Sequence, residues 1–207
     1  MGRYATEDRT IKDESIKSRL TVAGRTLFAD RGYAGTSVRE ICKMADASST
    51  MIHHYFGSKE GLYDAIIDEF TSATFEVPLR LIDRPPKTRE EFVLRLEMFI
   101  SETFRALLTQ APVFRIIARE SKKFVGAAQF HTGLGTYLTA AQNAGFLSVD
   151  LKVELVTGIV LDRLGGQIMY VSRAPDDQPN VLNDEDYAEE WLSANIAVLI
   201  HGLAKSD

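Results

Sequence analysis

Apolar residues at helical spacing run through almost the whole of this 207-residue chain, and that periodicity leaves it an all-α fold. Ile16, Leu20, Ala23 and Leu27 step by four, three and four, a stripe that stops at Arg31-Gly32. Short helices are expected over residues 37–45 and 48–55. A longer one starts at Ser58, with Leu62, Ile66 and Phe70 on one face and Pro78 near its end. Asp83-Arg84-Pro85-Pro86-Lys87 is a break. Beyond it Phe92, Leu96, Phe99 and Thr103 are in register for a helix starting near Thr88, and Pro112 suits the first turn of a short helix over 113–119. Residues 122–144 read as another helix, closed by Asn143-Ala144-Gly145. Helices over about 150–172 and 183–204 finish the chain, separated by the Pro- and Asp-rich loop 174–180. The sum is about nine helices, with no internal repeat. No pair of alternating β-branched runs flanks an Asn-Gly or Asp-Gly turn.

Cysteine and charge narrow the class further. Cys42 is the single cysteine, so neither an internal disulfide nor a cysteine-based zinc site is available, and the chain suits a reducing compartment. No apolar run reaches the roughly 18 residues of a membrane span. The polar N-terminus does not read as a signal peptide, so a cytoplasmic protein with no membrane partner is expected. The net charge of -5 is unevenly distributed. Residues 1–60 hold ten Lys/Arg against eight Asp/Glu, whereas residues 61–207 hold fourteen against twenty-one. The positive share at the N-terminus permits an anionic partner there.

The informative stretch is residues 36–59, TSVREICKMADASSTMIHHYFGSK. Ser37 and Glu40 form the S-x-x-E capping box that starts a helix, whose inner face is Val38, Ile41 and Cys42. Asp46 sits where that helix must end, and aspartate tolerates the left-handed conformation better than most residues. Ser48 can cap the next helix. Within it Ile52 and Phe56 point inward, while Ser49, Thr50, His53 and His54 face outward. Two short helices joined by a tight turn, the second with a polar outer face, make a helix-turn-helix unit, whose second helix fits the major groove. Ser58 then caps another helix whose free N–H groups, with Lys59, suit a phosphate. By these residues alone, three packed helices of an ordinary α-helical protein stay an equal alternative.

Residues 11–60 resemble the DNA-binding domain of the tetracycline-repressor (TetR) family. The shared pattern runs through Phe28, Arg31-Gly32-Tyr33, Thr36-Ser37-Val38-Arg39-Glu40-Ile41, Ala45, and His54-Tyr55-Phe56-Gly57-Ser58-Lys59-Glu60-Gly61-Leu62, without a gap. The resemblance implies a DNA-binding domain over residues 10–60 and a larger helical ligand-binding and dimerisation domain over 61–207. It also implies a homodimeric regulator, most often a repressor, that binds an inverted-repeat operator and is released by a small molecule. Arg39 would contact a base or phosphate, and Ser49, Thr50, His53 and His54 would face the groove, with Ser48 at the start of that helix. Thr36, Ser37, Tyr55 and Lys59 would meet the phosphate backbone. The sequence departs from the family in three places: Asp46 stands where a glycine is usual, Ser49 where a basic residue is common, and His53 where Tyr is. Adjacent histidines lie about 100° apart on a helix, so His53 and His54 do not form an i, i+4 metal pair. Mild acidification should strengthen DNA binding as histidine gains charge.

The C-terminal part carries aromatic residues at helical spacing. Most such residues are core; Phe99, Phe104, Arg115, His131 and Tyr137 are the candidates to line an effector pocket. The last two helices are apolar beyond one stripe, which calls for burial on two sides. A second copy of the chain is the natural cover, with Leu155, Ile159, Leu192, Ile196, Leu199 and Leu203 as the expected interface residues. Nothing points to an enzyme, a metal or a cofactor: there is no GxxxxGK, nucleophile elbow or HExxH, and Gly133-Leu134-Gly135 follows no strand. A helical adaptor that binds only protein is the remaining rival, and salt-dependent DNA binding separates the two.

Overall fold

The computed structural model describes residues 3–120, 125–171 and 179–203, with side chains over 15–117, 128–171 and 179–200. Among the described residues there are nine α-helices and no strand. They are α1 (Arg3–Arg31), α2 (Val38–Met44), α3 (Ser49–Phe56), α4 (Lys59–Leu81), α5 (Arg89–Thr109), α6 (Ala111–Glu120), α7 (Val125–Asn143), α8 (Val153–Val171) and α9 (Glu185–Leu203). Eight stand where the periodicity places them, whereas α1 begins at Arg3, well before its Ile16–Leu27 stripe. Most of the loop expected over 174–180 lies outside the described residues, as does the side chain of Leu203.

Two compact units emerge. The first holds α1, α2, α3, α4 as far as Phe70, and α6 from Pro112. The second holds the rest of α4 from Thr71, then α5, α7, α8 and α9.

In the first unit α1 buries Leu20, Ala23, Leu27 and Phe28, the stripe legible in the sequence with one aromatic added. At Gly24 the two helices α1 and α4 come close: a Cβ there would lie 3.0 Å from Leu62 and 3.1 Å from Ile66. Phe28, Tyr33 and Tyr63 form a ring cluster with centroids 5.1–5.7 Å apart, the two contacts with Tyr63 being edge-on. It ties the end of α1 to α4. Ile41 and Cys42 of α2 and Ile52 of α3 join that interior, with Phe70 of α4 and Val113 and Ile116 of α6.

The second unit is organised around α5. Phe92, Leu96, Phe99, Ile100, Thr103, Phe104 and Leu107 are all buried, so α5 turns one broad face inward, toward α8 and α9. Thr88 starts it, accepting from the Glu91 N–H at 3.1 Å. Arg95 donates to the carbonyls of Leu81 (2.5 Å) and Arg84 (2.9 Å), which satisfies acceptors at and just beyond the end of α4. Phe99 stacks on Phe130 of α7, and Phe104 on Trp191 of α9. On α8 the buried row is Val156, Thr157, Val160, Leu164, Ile168 and Val171. Among the described residues no helix is long and apolar enough to cross a membrane.

Candidate nucleic-acid interface

The site begins with the cap of α2. Ser37 is extended (φ -101, ψ 153), its Oγ accepts from the Glu40 N–H at 3.3 Å, and the Glu40 carboxylate accepts from the Ser37 N–H at 2.9 Å. The capping box is complete. The Ser37 hydroxyl also donates to that carboxylate at 2.6 Å; this bond first, then the Ser37 N–H and the Arg31 guanidinium 2.8 Å away, hold the Glu40 carboxyl below its ordinary value.

The turn between α2 and α3 is built on Asp46, the one non-glycine residue at positive φ (47°) among the described residues. Its conformation lets the Ala47 N–H reach back to the Cys42 carbonyl at 3.0 Å, the closing bond of a left-handed helix stop. From α1, Arg19 donates to the Asp46 carbonyl at 3.3 Å. The departure from glycine is thus accommodated, and it leaves a carboxylate exposed in the turn.

On α3, Ile52 is fully buried and Phe56 half-buried, which fixes the helix's rotation. Ser49, Thr50, His53 and His54 are all exposed, as is Arg39 on α2. Ser48 stands at the N-cap of α3 and is exposed, but its side chain makes no cap bond, contrary to the sequence expectation. At the far end Gly57 (φ 75) stops α3, and its N–H donates to the His53 carbonyl at 3.1 Å. His53 Nδ1 lies 3.0 Å from the Gly57 carbonyl oxygen. The rings of His54 and Tyr55 meet edge-on at 4.8 Å, with Tyr55 half-buried. Ser58 caps α4, accepting from the Gly61 N–H at 3.1 Å.

Two residues expected at phosphates are tied into the chain instead. Thr36 is 2 % exposed, and its hydroxyl lies 2.9 Å from the Gly32 carbonyl oxygen and 3.1 Å from that of Leu27. A hydroxyl in that position has no route to a phosphate. Lys59 is half-buried and donates to the carbonyls of Tyr33 (2.8 Å) and Thr36 (2.9 Å). Both side chains brace the corner where α1 ends. Their partners precede them by 4 to 26 positions, so no short motif discloses the bracing.

The arrangement is a capped three-helix head with one polar helix face turned to solvent. Residues 20–66 match the family model described as "Bacterial regulatory proteins, tetR family". The chain belongs to the TetR family of transcriptional regulators. It is also similar to the HTH-type transcriptional regulator UidR of Escherichia coli K12, with 28 % identity over 160 residues, 72 % of this chain and 78 % of that one. The HTH-type transcriptional repressor KstR2 of Rhodococcus jostii is 27 % identical over 132 residues, 64 % of this chain and 60 % of the relative. A solved structure of the ketosteroid transcriptional regulator KstR2 of Mycobacterium tuberculosis shares the fold, with a TM-score of 0.71 at 20 % identity, covering 92 % of this chain and 95 % of that one. These relatives are transcriptional regulators of the TetR family and not enzymes. TetR-family regulators bind DNA and act as dimers.

In this TetR-family chain the five effector candidates are dispersed. Phe99, Phe104 and Tyr137 are core residues of the second unit, and Tyr137 packs against Phe92 while donating to its carbonyl at 3.3 Å. Arg115 belongs to the first unit, where its Nε is buried without a hydrogen-bond partner. His131 is exposed and lines an open groove of about 480 Å³ between α7 and α8, with Thr136, Thr139, Glu154 and Thr157. A group that sequence reading passed over is Thr74 of α4, fully buried with an unpaired hydroxyl.

The expected pairing residues divide similarly. Leu155 and Ile159, four apart on α8, are 62 % and 59 % exposed. On α9, Leu192 is 3 % exposed and lies in the chain's own core, Ile196 and Leu199 are half-buried, and Val198 is 73 % exposed.

Proposed function

We propose that this regulator is a repressor that binds an inverted-repeat operator as a homodimer in the cytoplasm and is released by a small molecule. The observation that carries the reading is the outward face of α3. Ser49, Thr50, His53 and His54 stand exposed together on a helix whose two ends are fixed by Asp46 and Gly57. Arg39 and Tyr55 flank that face, and Ser37 and Ser48 begin the two short helices. Such a helix suits the major groove, and two-fold pairing of the chains makes the operator a repeat. A named repressor among the relatives supports the sign of regulation.

The pairing surface is proposed on α8 and α9, through Leu155, Ile159 and Val198. Apolar side chains this exposed on adjacent helices are an unusual surface for a lone chain. The effector is proposed in the second unit. His131, on the open groove, and the unpaired hydroxyl of Thr74, inside, are two of the polar groups offered to it there.

Fluorescence anisotropy of the purified chain on its own upstream DNA, across a salt series, tests the reading. The expected result is two chains per site and an affinity that falls steeply with salt. Affinity equal for upstream and unrelated DNA, or independent of salt, would reject it.

A further inference from the structure

The ring of His53 is held from behind. Its Nδ1 faces the Gly57 carbonyl oxygen at 3.0 Å, and Gly57 in turn donates its N–H to the His53 carbonyl at 3.1 Å. A carbonyl oxygen only accepts, so the nitrogen facing it carries the proton. Neutral imidazole has one N–H, and placing it on Nδ1 leaves Nε2 a bare lone pair. His53 is exposed on the outward face of α3, where that lone pair meets whatever approaches the helix.

A bare acceptor is selective. Phosphate oxygens only accept, so neutral His53 has nothing to give them. The N7 and O6 of guanine, N7 of adenine and O4 of thymine are acceptors too. The donors in the major groove are the exocyclic amines, N6 of adenine and N4 of cytosine. We propose that His53 is a specificity-determining residue that reads one such amino group, accepting its hydrogen bond at Nε2, and makes no phosphate contact while neutral. The proposal rests on α3 being the recognition helix. It separates His53 from an arginine or lysine, which only donate, and from a tyrosine or glutamine, which offer both roles.

Two measurements at pH 8, on the full chain, test it. The first is the nitrogen-15 correlation spectrum of the imidazole rings, with His53→Gln assigning one of the four histidines. The expected pattern is a protonated Nδ1 and an unprotonated Nε2 for His53; the reverse tautomer overturns the proposal whether or not the chain binds DNA. The second begins with in-vitro selection of operators by the native chain and by His53→Ala, the variant's melting temperature confirming that it folds. One base pair should lose its preference in the variant. There, replacing adenine by purine, or cytosine by 2-pyrimidinone, removes the amino group alone. The native chain should lose roughly five- to tenfold in affinity. His53→Ala should lose less by the same factor, because the comparison cancels the weakened base pair. Replacing the purine of that pair by its 7-deaza analogue should leave the two proteins' affinity ratio unchanged. A loss specific to the 7-deaza operator, or identical preferences for native and variant chains, overturns the proposal and leaves DNA reading intact. Selection that enriches no sequence at all overturns the recognition-helix reading itself, while the tautomer result still stands.

Discussion

The Lys59 ammonium lies 4.0 Å from the centroid of the Tyr33 ring while donating to the Tyr33 and Thr36 carbonyls. Two carbonyls and one aromatic face account for the three protons of an ammonium. Lys59 therefore fastens the start of α4 to the corner after α1, a lock rather than a hand held out to DNA. Lys59→Gln should lower unfolding stability by about 2 kcal/mol, the scale of charge-assisted hydrogen bonds plus a cation–π contact. The slope of log affinity against log salt should stay as it is. A phosphate contact predicts instead a slope shallower by about 0.9 for each chain bound, about 1.8 for the dimer. Urea unfolding and a salt titration, run on the same variant, decide between them.

Asp46 carries two costs in one residue. Its φ of 47° is tolerated by aspartate but not preferred, and its carboxylate is exposed in the helix-turn-helix turn. Asp46→Gly should stabilise the chain by about 0.5 kcal/mol, since relief of the left-handed backbone is partly offset by glycine's freer unfolded state. The same change removes a negative charge from the proposed DNA-facing side, so affinity at low salt should rise. Asp46→Asn separates the two effects, because asparagine keeps the left-handed tolerance and loses the charge. If Asp46→Asn binds DNA no more tightly than the native chain, the electrostatic half of the argument fails.

The contrast between α2 and its neighbours shows what can be read from sequence. Ser37 and Glu40 are three positions apart, and the box they form was legible because all its partners are local. The rotation of α3 was equally legible, through buried Ile52. Thr36 and Lys59 were not: the Thr36 hydroxyl turns inward onto the Leu27 and Gly32 carbonyls, and Lys59 reaches back 26 and 23 positions to those of Tyr33 and Thr36. On α9 the difficulty is different. Leu192, Ile196 and Val198 are alike in hydrophobicity, and periodicity cannot say which apolar face meets the chain's own core and which is left exposed. Aromatic residues such as Phe99 and Phe104 posed the same problem, and stacking on Phe130 and Trp191 makes them core.

Tyr137 gives the second unit a titration of its own. Burial pushes its hydroxyl up to about 12, from an ordinary value of 10.0. Between those values the unfolded chain loses the proton and the folded chain keeps it. Stability carried by this group is therefore complete below about pH 10 and is lost as pH rises toward 12. Tyr137→Phe should cost about 1 kcal/mol at neutral pH through the missing bond to the Phe92 carbonyl. It should also flatten the alkaline fall in melting temperature. An alkaline limb as steep in the variant as in the native chain would show that other tyrosines or lysines produce it.

A charge placed on the exposed stripe tests pairing without touching the core. Leu155 and Ile159 are four apart on α8 and so share a face, whereas Leu192 on α9 is enclosed by its own chain. Ile159→Glu should turn a dimer into a monomer at micromolar concentration in sedimentation velocity, with helix content by circular dichroism unchanged. DNA affinity should fall by about a hundredfold or more, because two linked heads bind an inverted repeat far more tightly than one. Leu192→Ala should behave oppositely, unfolding about 2–5 kcal/mol more easily while remaining dimeric wherever it is folded. A dimer that survives Ile159→Glu at native strength would move the pairing surface away from α8.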